Sequence, residues 1–122
     1  MNYNQKRKYY RLRYPSESRP VIRLDGKPSA EIISELSEHG VRILIENAHQ
    51  LHEGDHFSGV IPFPDGSRIE VEGIALRTHG NEISAHLSKG PCLKRMFDEQ
   101  IRMRHLHPWF DKHKDGEGDS HS

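Results

Sequence analysis

The apolar residues of this chain come in short runs, each closed by turn-forming residues, and no run adopts a helical period before about residue 92. Val21-Ile22-Arg23-Leu24 ends at Asp25-Gly26, a hairpin signal because both residues tolerate the backbone of a tight turn. Pro28 to Ser34 reads as the returning strand, with Ala30 and Ile32 on one face. Gly40 opens a third run, in which Val41, Ile43 and Ile45 alternate with Arg42, Leu44 and Glu46. Asp55 to Phe63 comes next and is closed by Pro64-Asp65-Gly66. Ser67 to Arg77 begins with Ile69 and Val71 on one face, then continues out of phase with Ile74 and Leu76. A slip across Gly73 of this kind is what a β-bulge produces. Asn81 to Leu87 completes the series with Ile83, Ala85 and Leu87. About six strands at short spacing point to an antiparallel barrel or sandwich.

The period then changes. Leu93, Phe97 and Ile101 fall at i, i+4 and i+8, with Met96 and Met103 nearby, so residues 92–106 read as one amphipathic helix, with Ser88 as a candidate cap and Pro108 as the stop. Trp109-Phe110 reads as an apolar clip behind it. Leu, Ile, Val and Phe number 27 of the 122 residues, and 25 of them lie between Val21 and Leu106. The chain therefore divides into an arm over 1–20, one folded body over 21–110, and a polar, Gly-containing tail over 111–122 that lacks core material. No apolar run approaches the ~20 residues of a membrane span. No secretory signal is visible, and the lone Cys92 excludes an internal disulfide framework. These features suggest a soluble, cytoplasmic protein.

A net charge of zero conceals a strong polarity. The arm carries Lys6, Arg7, Lys8, Arg11, Arg13 and Arg19 against Glu17 alone, whereas residues 21–88 carry five basic and eleven acidic side chains. A cationic arm on an acidic body seeks an external anion or docks on the body itself. Within the arm lies Arg7-Lys8-Tyr9-Tyr10-Arg11. A four-residue separation sets both arginines on the same side in either an extended or a helical segment. Two guanidinium forks there suit a phosphate or the O6 and N7 edge of a guanine, and the tyrosines offer stacking surfaces. The second motif is Glu35-Leu36-Ser37-Glu38-His39-Gly40, where Gly40 permits a tight turn and Glu35 and Ser37 supply hydrogen-bonding groups. Together the two motifs suit a guanine nucleotide with more than one phosphate.

From about Gln5 to Ile101 the sequence resembles the PilZ domains, bacterial receptors for cyclic di-GMP. The resemblance rests on Arg7-x-x-x-Arg11 and Ser37-x-x-Gly40, supported by the Asp25-Gly26 hairpin, the Gly54-Asp55 turn and the terminal helix. It implies a mainly β fold, a six-stranded antiparallel β-barrel with a C-terminal α-helix, whose N-terminal loop folds over the ligand. By the same resemblance Arg7 and Arg11 grip guanine edges and phosphates, Lys6 adds a basic contact, and Glu35, Ser37 and Gly40 lie against the other side of the nucleotide. The family pattern has Asp or Asn where this chain has Glu35, which keeps the acceptor but moves it by one methylene. The resemblance implies no cofactor besides the ligand, no catalysis, and a partner protein that receives the signal, because one domain has no output of its own.

Other readings compete. His49, His52 and His56 cluster in sequence, but no cysteine accompanies them, and His105 and His107 at i and i+2 of a helix face apart. Ser37 and His39 superficially suggest a nucleophile and base without a third orienting group. A basic, tyrosine-bearing arm on a small barrel also suits single-stranded nucleic acid, although the acidic body and the lack of a row of aromatics on the strands weigh against it. A nucleotide-free adaptor that docks on a partner through its arm and helix is the remaining alternative.

Overall fold

The computed structural model describes residues 11–45 and 51–110. Seven strands and one helix succeed one another: β1 (Leu12–Arg13), β2 (Val21–Leu24), β3 (Ala30–Leu36), β4 (Gly40–Leu44), β5 (His56–Pro62), β6 (Arg68–His79), β7 (Glu82–Lys89) and α1 (Leu93–Leu106). A single turn of 3-10 helix, Ser16–Ser18, joins β1 to β2. All pairings are antiparallel. Strands β2 to β7 close in the order β3-β2-β5-β6-β7-β4 and back to β3, a six-stranded barrel to which β1 adds by pairing with β3.

Each closure has its cause in local chemistry. At the β2–β3 hairpin, Lys27 N–H donates to the Leu24 carbonyl across Asp25-Gly26, and Gly26 sits at φ 78°, where a side chain would be strained. Barrel curvature comes from register shifts in three places: at Ser34 in β3, and between β6 and β7 at Glu72/Gly73 and Ala75/Arg77. The expected irregularity at Gly73 is present. A Cβ there would lie 2.2 Å from the His86 carbonyl oxygen, so only glycine lets the two backbones approach. The inward face of β6 nevertheless runs unbroken through Val71, Gly73 and Ala75, leaving Leu76 outside.

Four expectations need correction. Ile33 and Leu36 are the inward residues of β3, whereas Ala30 is exposed and Ile32 half-buried. The reading of residues 1–20 as an arm outside the body does not hold for Leu12 and Tyr14, which are fully enclosed in the core. The helix also turns a different face inward. Met96, Glu99 and Met103 are buried, while Leu93, Phe97 and Ile101, the stripe that the sequence marks as apolar, are 45–49% exposed. Cys92 occupies the N-cap position, not Ser88, and makes no side-chain capping bond. Of the clip, Phe110 is buried and Trp109 half-exposed.

The fixed point of the helix is polar. Tyr14 Oη donates to Glu99 Oε1 at 2.7 Å, and Arg102 closes on the same carboxylate through Nε at 2.9 Å and Nη2 at 2.8 Å. A buried carboxylate is costly unless hydrogen-bonded and paired, and Glu99 has both, which ties α1 to the chain entering β1–β2.

Candidate ligand-binding site

The outer wall of β1, β3, β4 and β7 carries charged side chains that strand register sets side by side. Arg13 is opposite Glu35, Glu35 is opposite Arg42, and Arg42 is opposite Ser84. The bulge at Ser34 makes this possible. Ile33 pairs with Ile43 inside the barrel, and strict alternation would send residue 35 inside as well. The extra residue instead sends Glu35 out and Leu36 in, opposite Arg42 and Val41 respectively.

On that wall two arginines and two glutamates alternate. Arg13 donates to Glu82 Oε2 at 2.9 Å and to Glu35 Oε1 at 3.4 Å. Arg42 lies 3.5 Å from Glu82 Oε1 and 4.0 Å from Glu35 Oε2. Burial alone would push the Glu82 carboxyl up, but hydrogen bonds from Arg13, Ser34 and Arg42, with the Arg13 charge, outweigh it and hold the group below the usual glutamate range.

Beside this ring lies an open pocket of about 360 Å³, within the ~300–1,000 Å³ usual for small-molecule clefts. Arg11, Glu35, Ser37 and Gly40 all line it. Arg11 is exposed and, unlike Arg13 and Arg42, has no ion-pair partner among the described residues. Glu35 is not in the turn, where the sequence alone would put it, but in β3, its carboxylate already shared by two arginines. Ser37 closes the turn, with its N–H donating to the Gly40 carbonyl at 2.9 Å. Gly40 begins β4 with an ordinary negative φ, so its contribution is not a strained turn. What its missing side chain does is keep the pocket floor open between Ala85 and Ser37. Lys6 and Arg7, the other half of the basic motif, lie outside the described residues.

The pocket also takes in Arg42, Ser84 and His86, which sequence reasoning passed over, and His39, which it weighed only as a base beside Ser37. Arg42 had a usable signal, since it lies two residues beyond Gly40 on the same strand face. His86 had none, because only the β4–β7 register, with Gly40 opposite His86, brings it there. Among the described residues, no three His, Cys, Asp or Glu side chains are placed to hold a metal ion, and His49 lies outside those residues. No described helix is long and apolar enough to cross a membrane.

The PilZ domain family model matches residues 5–105. Among solved structures, the chain is similar to the Bacillus subtilis inhibitor of motility (MotI/DgrA), with a TM-score of 0.63 at 14% identity. That match covers 80% of this chain and 53% of the other, so this chain spans about half the neighbour's length, and the likeness is one of fold. No curated protein matches. A family model that accounts for nearly the whole described body, on a closed six-stranded barrel with one terminal helix, is decisive: the chain belongs to the PilZ domain family.

Proposed function

We propose that this protein is a cytoplasmic receptor for cyclic di-GMP that draws its N-terminal arm onto the nucleotide and passes the change to a partner protein. Its family is one of non-enzymatic receptors and adaptors. The observation that carries the reading is the convergence on one pocket of Arg11 and the distant segment that holds Glu35, Ser37 and Gly40. Among the described residues, Arg11 brings that pocket a cation with no ion pair of its own. Arg11 precedes β1 directly, and Arg7 and Lys6 lie four and five residues before it in the sequence. Arg7 and Lys6 then supply the second guanidinium and an added cation, and a ligand with two phosphates neutralises the set. Ordering the arm costs conformational entropy, which makes the affinity modest for the number of contacts.

The route outward starts three residues after Arg11. Tyr14 holds Glu99 of α1, so a displacement of the arm is felt by the helix. A nucleotide-free adaptor is the second reading. It draws on the engagement of Glu35 by Arg13 and Arg42, which leaves that carboxylate fewer lone pairs for a ligand.

Calorimetric titration with cyclic di-GMP, with GMP and a short oligonucleotide as controls, separates the readings. Saturable binding to the cyclic dinucleotide is expected. Arg11→Ala should cost a charge-assisted contact, about 1.5–3 kcal/mol or at least roughly tenfold in affinity, and Arg7→Ala should weaken binding in the same direction. If Arg11→Ala binds as tightly as the parent, the site is misassigned. If the parent gives no heat, the adaptor reading takes its place.

A further inference from the structure

Two histidines face each other across the mouth of the pocket: His39 lies within the second motif but not at a position that carries the family resemblance, and His86 lies in no motif. The ring centroids of His39 and His86 are 6.4 Å apart and their planes differ by 14°. One side chain comes from the β3–β4 turn and the other from β7. Their positions are fixed by backbone bonds: Gly40 pairs with His86, and Leu87 N–H donates to the His39 carbonyl at 2.9 Å. Both rings are exposed and both line the same cavity as Arg11 and Arg42.

We propose that His39 and His86 are ligand-contacting residues that together take an anionic oxygen of the nucleotide, a phosphodiester, and bind a proton as they do so. The inference rests on the receptor reading above and deepens it. The two rings are 6.4 Å apart, so one anion can be seated beside both, and each ring in its cationic form donates N–H bonds to it. Arg11 and Arg42 face the pair from the arm and β4, and they set a charge that already favours an anion there. Glu35 faces it from β3 and Glu38 adjoins His39 in the turn. On β6 the register partner of His86 is Ile74, with Glu72 next along that face and His56 beyond it on β5. Histidine is the side-chain type whose ordinary range falls between pH 6 and 8, so the test is run over that interval.

Linkage fixes the sign. If the ligand favours the protonated pair, protons favour the ligand equally, and affinity rises as pH falls through the ordinary histidine range near about 6.5. The full chain is titrated with cyclic di-GMP at pH 6.0 and pH 8.0, each in two buffers of different ionisation enthalpy. The parent should bind at least roughly threefold more tightly at pH 6.0, with net proton uptake near pH 6.5. His86→Gln should remove part of that dependence, and His39→Gln with His86→Gln nearly all of it. His105→Gln, on α1, should keep it. Both substituted positions are solvent-exposed, and a thermal melt checks that each variant is folded. A flat pH profile in the parent, or a slope that survives the double substitution, overturns the assignment while leaving the receptor standing. Absence of binding by the parent at pH 8.0 and at pH 6.0 overturns the receptor reading and this one with it.

Discussion

Glu82 shows how one residue can prepare a site it does not line. It opens β7, nearly buried, and accepts from Arg13 at 2.9 Å while Arg42 stands 3.5 Å away. Removing its charge leaves two arginines facing each other across Glu35 alone. Because its carboxyl is held below the usual range, the stability it contributes is present above about pH 4.3, the ordinary glutamate value, and is lost as pH falls through its lowered folded value. Glu82→Gln should therefore cost on the order of 1.5–3 kcal/mol at pH 7. The difference from the parent should shrink as pH falls below the ordinary glutamate value and the carboxyl takes up its proton, as read from urea melts run toward acid pH. A deficit unchanged at the acid end would mean that Glu82 acts by shape and not by charge. Glu35, flanked by the same arginines, had a role legible only in part. The sequence supplied its acceptor group and its neighbourhood, but the competing claims of Arg13 and Arg42 depend on register across three strands.

At the scale of elements, the helix carries the sharpest test. Met96 and Met103 are fully buried and Phe97 is half-exposed. Met96→Ala should cost about 2–5 kcal/mol, whereas Phe97→Gln should stay within about 0.5 kcal/mol, as measured by chemical denaturation. The reverse order would mean that the helix packs through the Leu93–Phe97–Ile101 stripe after all. Periodicity located this helix to within a residue, yet misassigned its inner face, because a hydrophobic count cannot anticipate that Glu99 will be buried by Tyr14 and Arg102. The strands divide in the same way. Turn chemistry placed six of them, and alternation assigned the inner faces of β4 and β7 correctly through Val41, Ile43, Ile83, Ala85 and Leu87. On β3 the marked face, Ala30 and Ile32, lies outside and Ile33 points inward, and the bulge at Ser34 then shifts the phase so that Leu36 follows Ile33 into the core. Strand β1 was invisible, because two residues, Leu12 and Arg13, carry no period. Only their pairing with Leu36 and Glu35 makes them a strand.

At the scale of the whole molecule, Tyr14 joins the two ends of the described body, 85 residues apart, through one hydrogen bond. Its phenol pKa is driven upward by burial first and by the charge and hydrogen bond of Glu99 next, so it remains a donor throughout the working range. Stability from this group is fully present below about pH 10 and fades above it, as the unfolded chain begins to ionise. Arg102 would hold Glu99 bidentately even without the phenol, so Tyr14→Phe leaves the carboxylate paired and the helix in place. What it removes is the link between arm and helix. The substitution should lower stability by about 1.5–3 kcal/mol, the worth of a hydrogen bond to a charged group. Under the receptor reading it should leave the affinity for cyclic di-GMP within about threefold, since Tyr14 does not line the pocket. The amide resonances of residues 96–103 should shift on ligand addition in the parent and stay still in Tyr14→Phe. Shifts of equal size in both would show that the signal reaches α1 by another path, through the barrel wall and not through this bond.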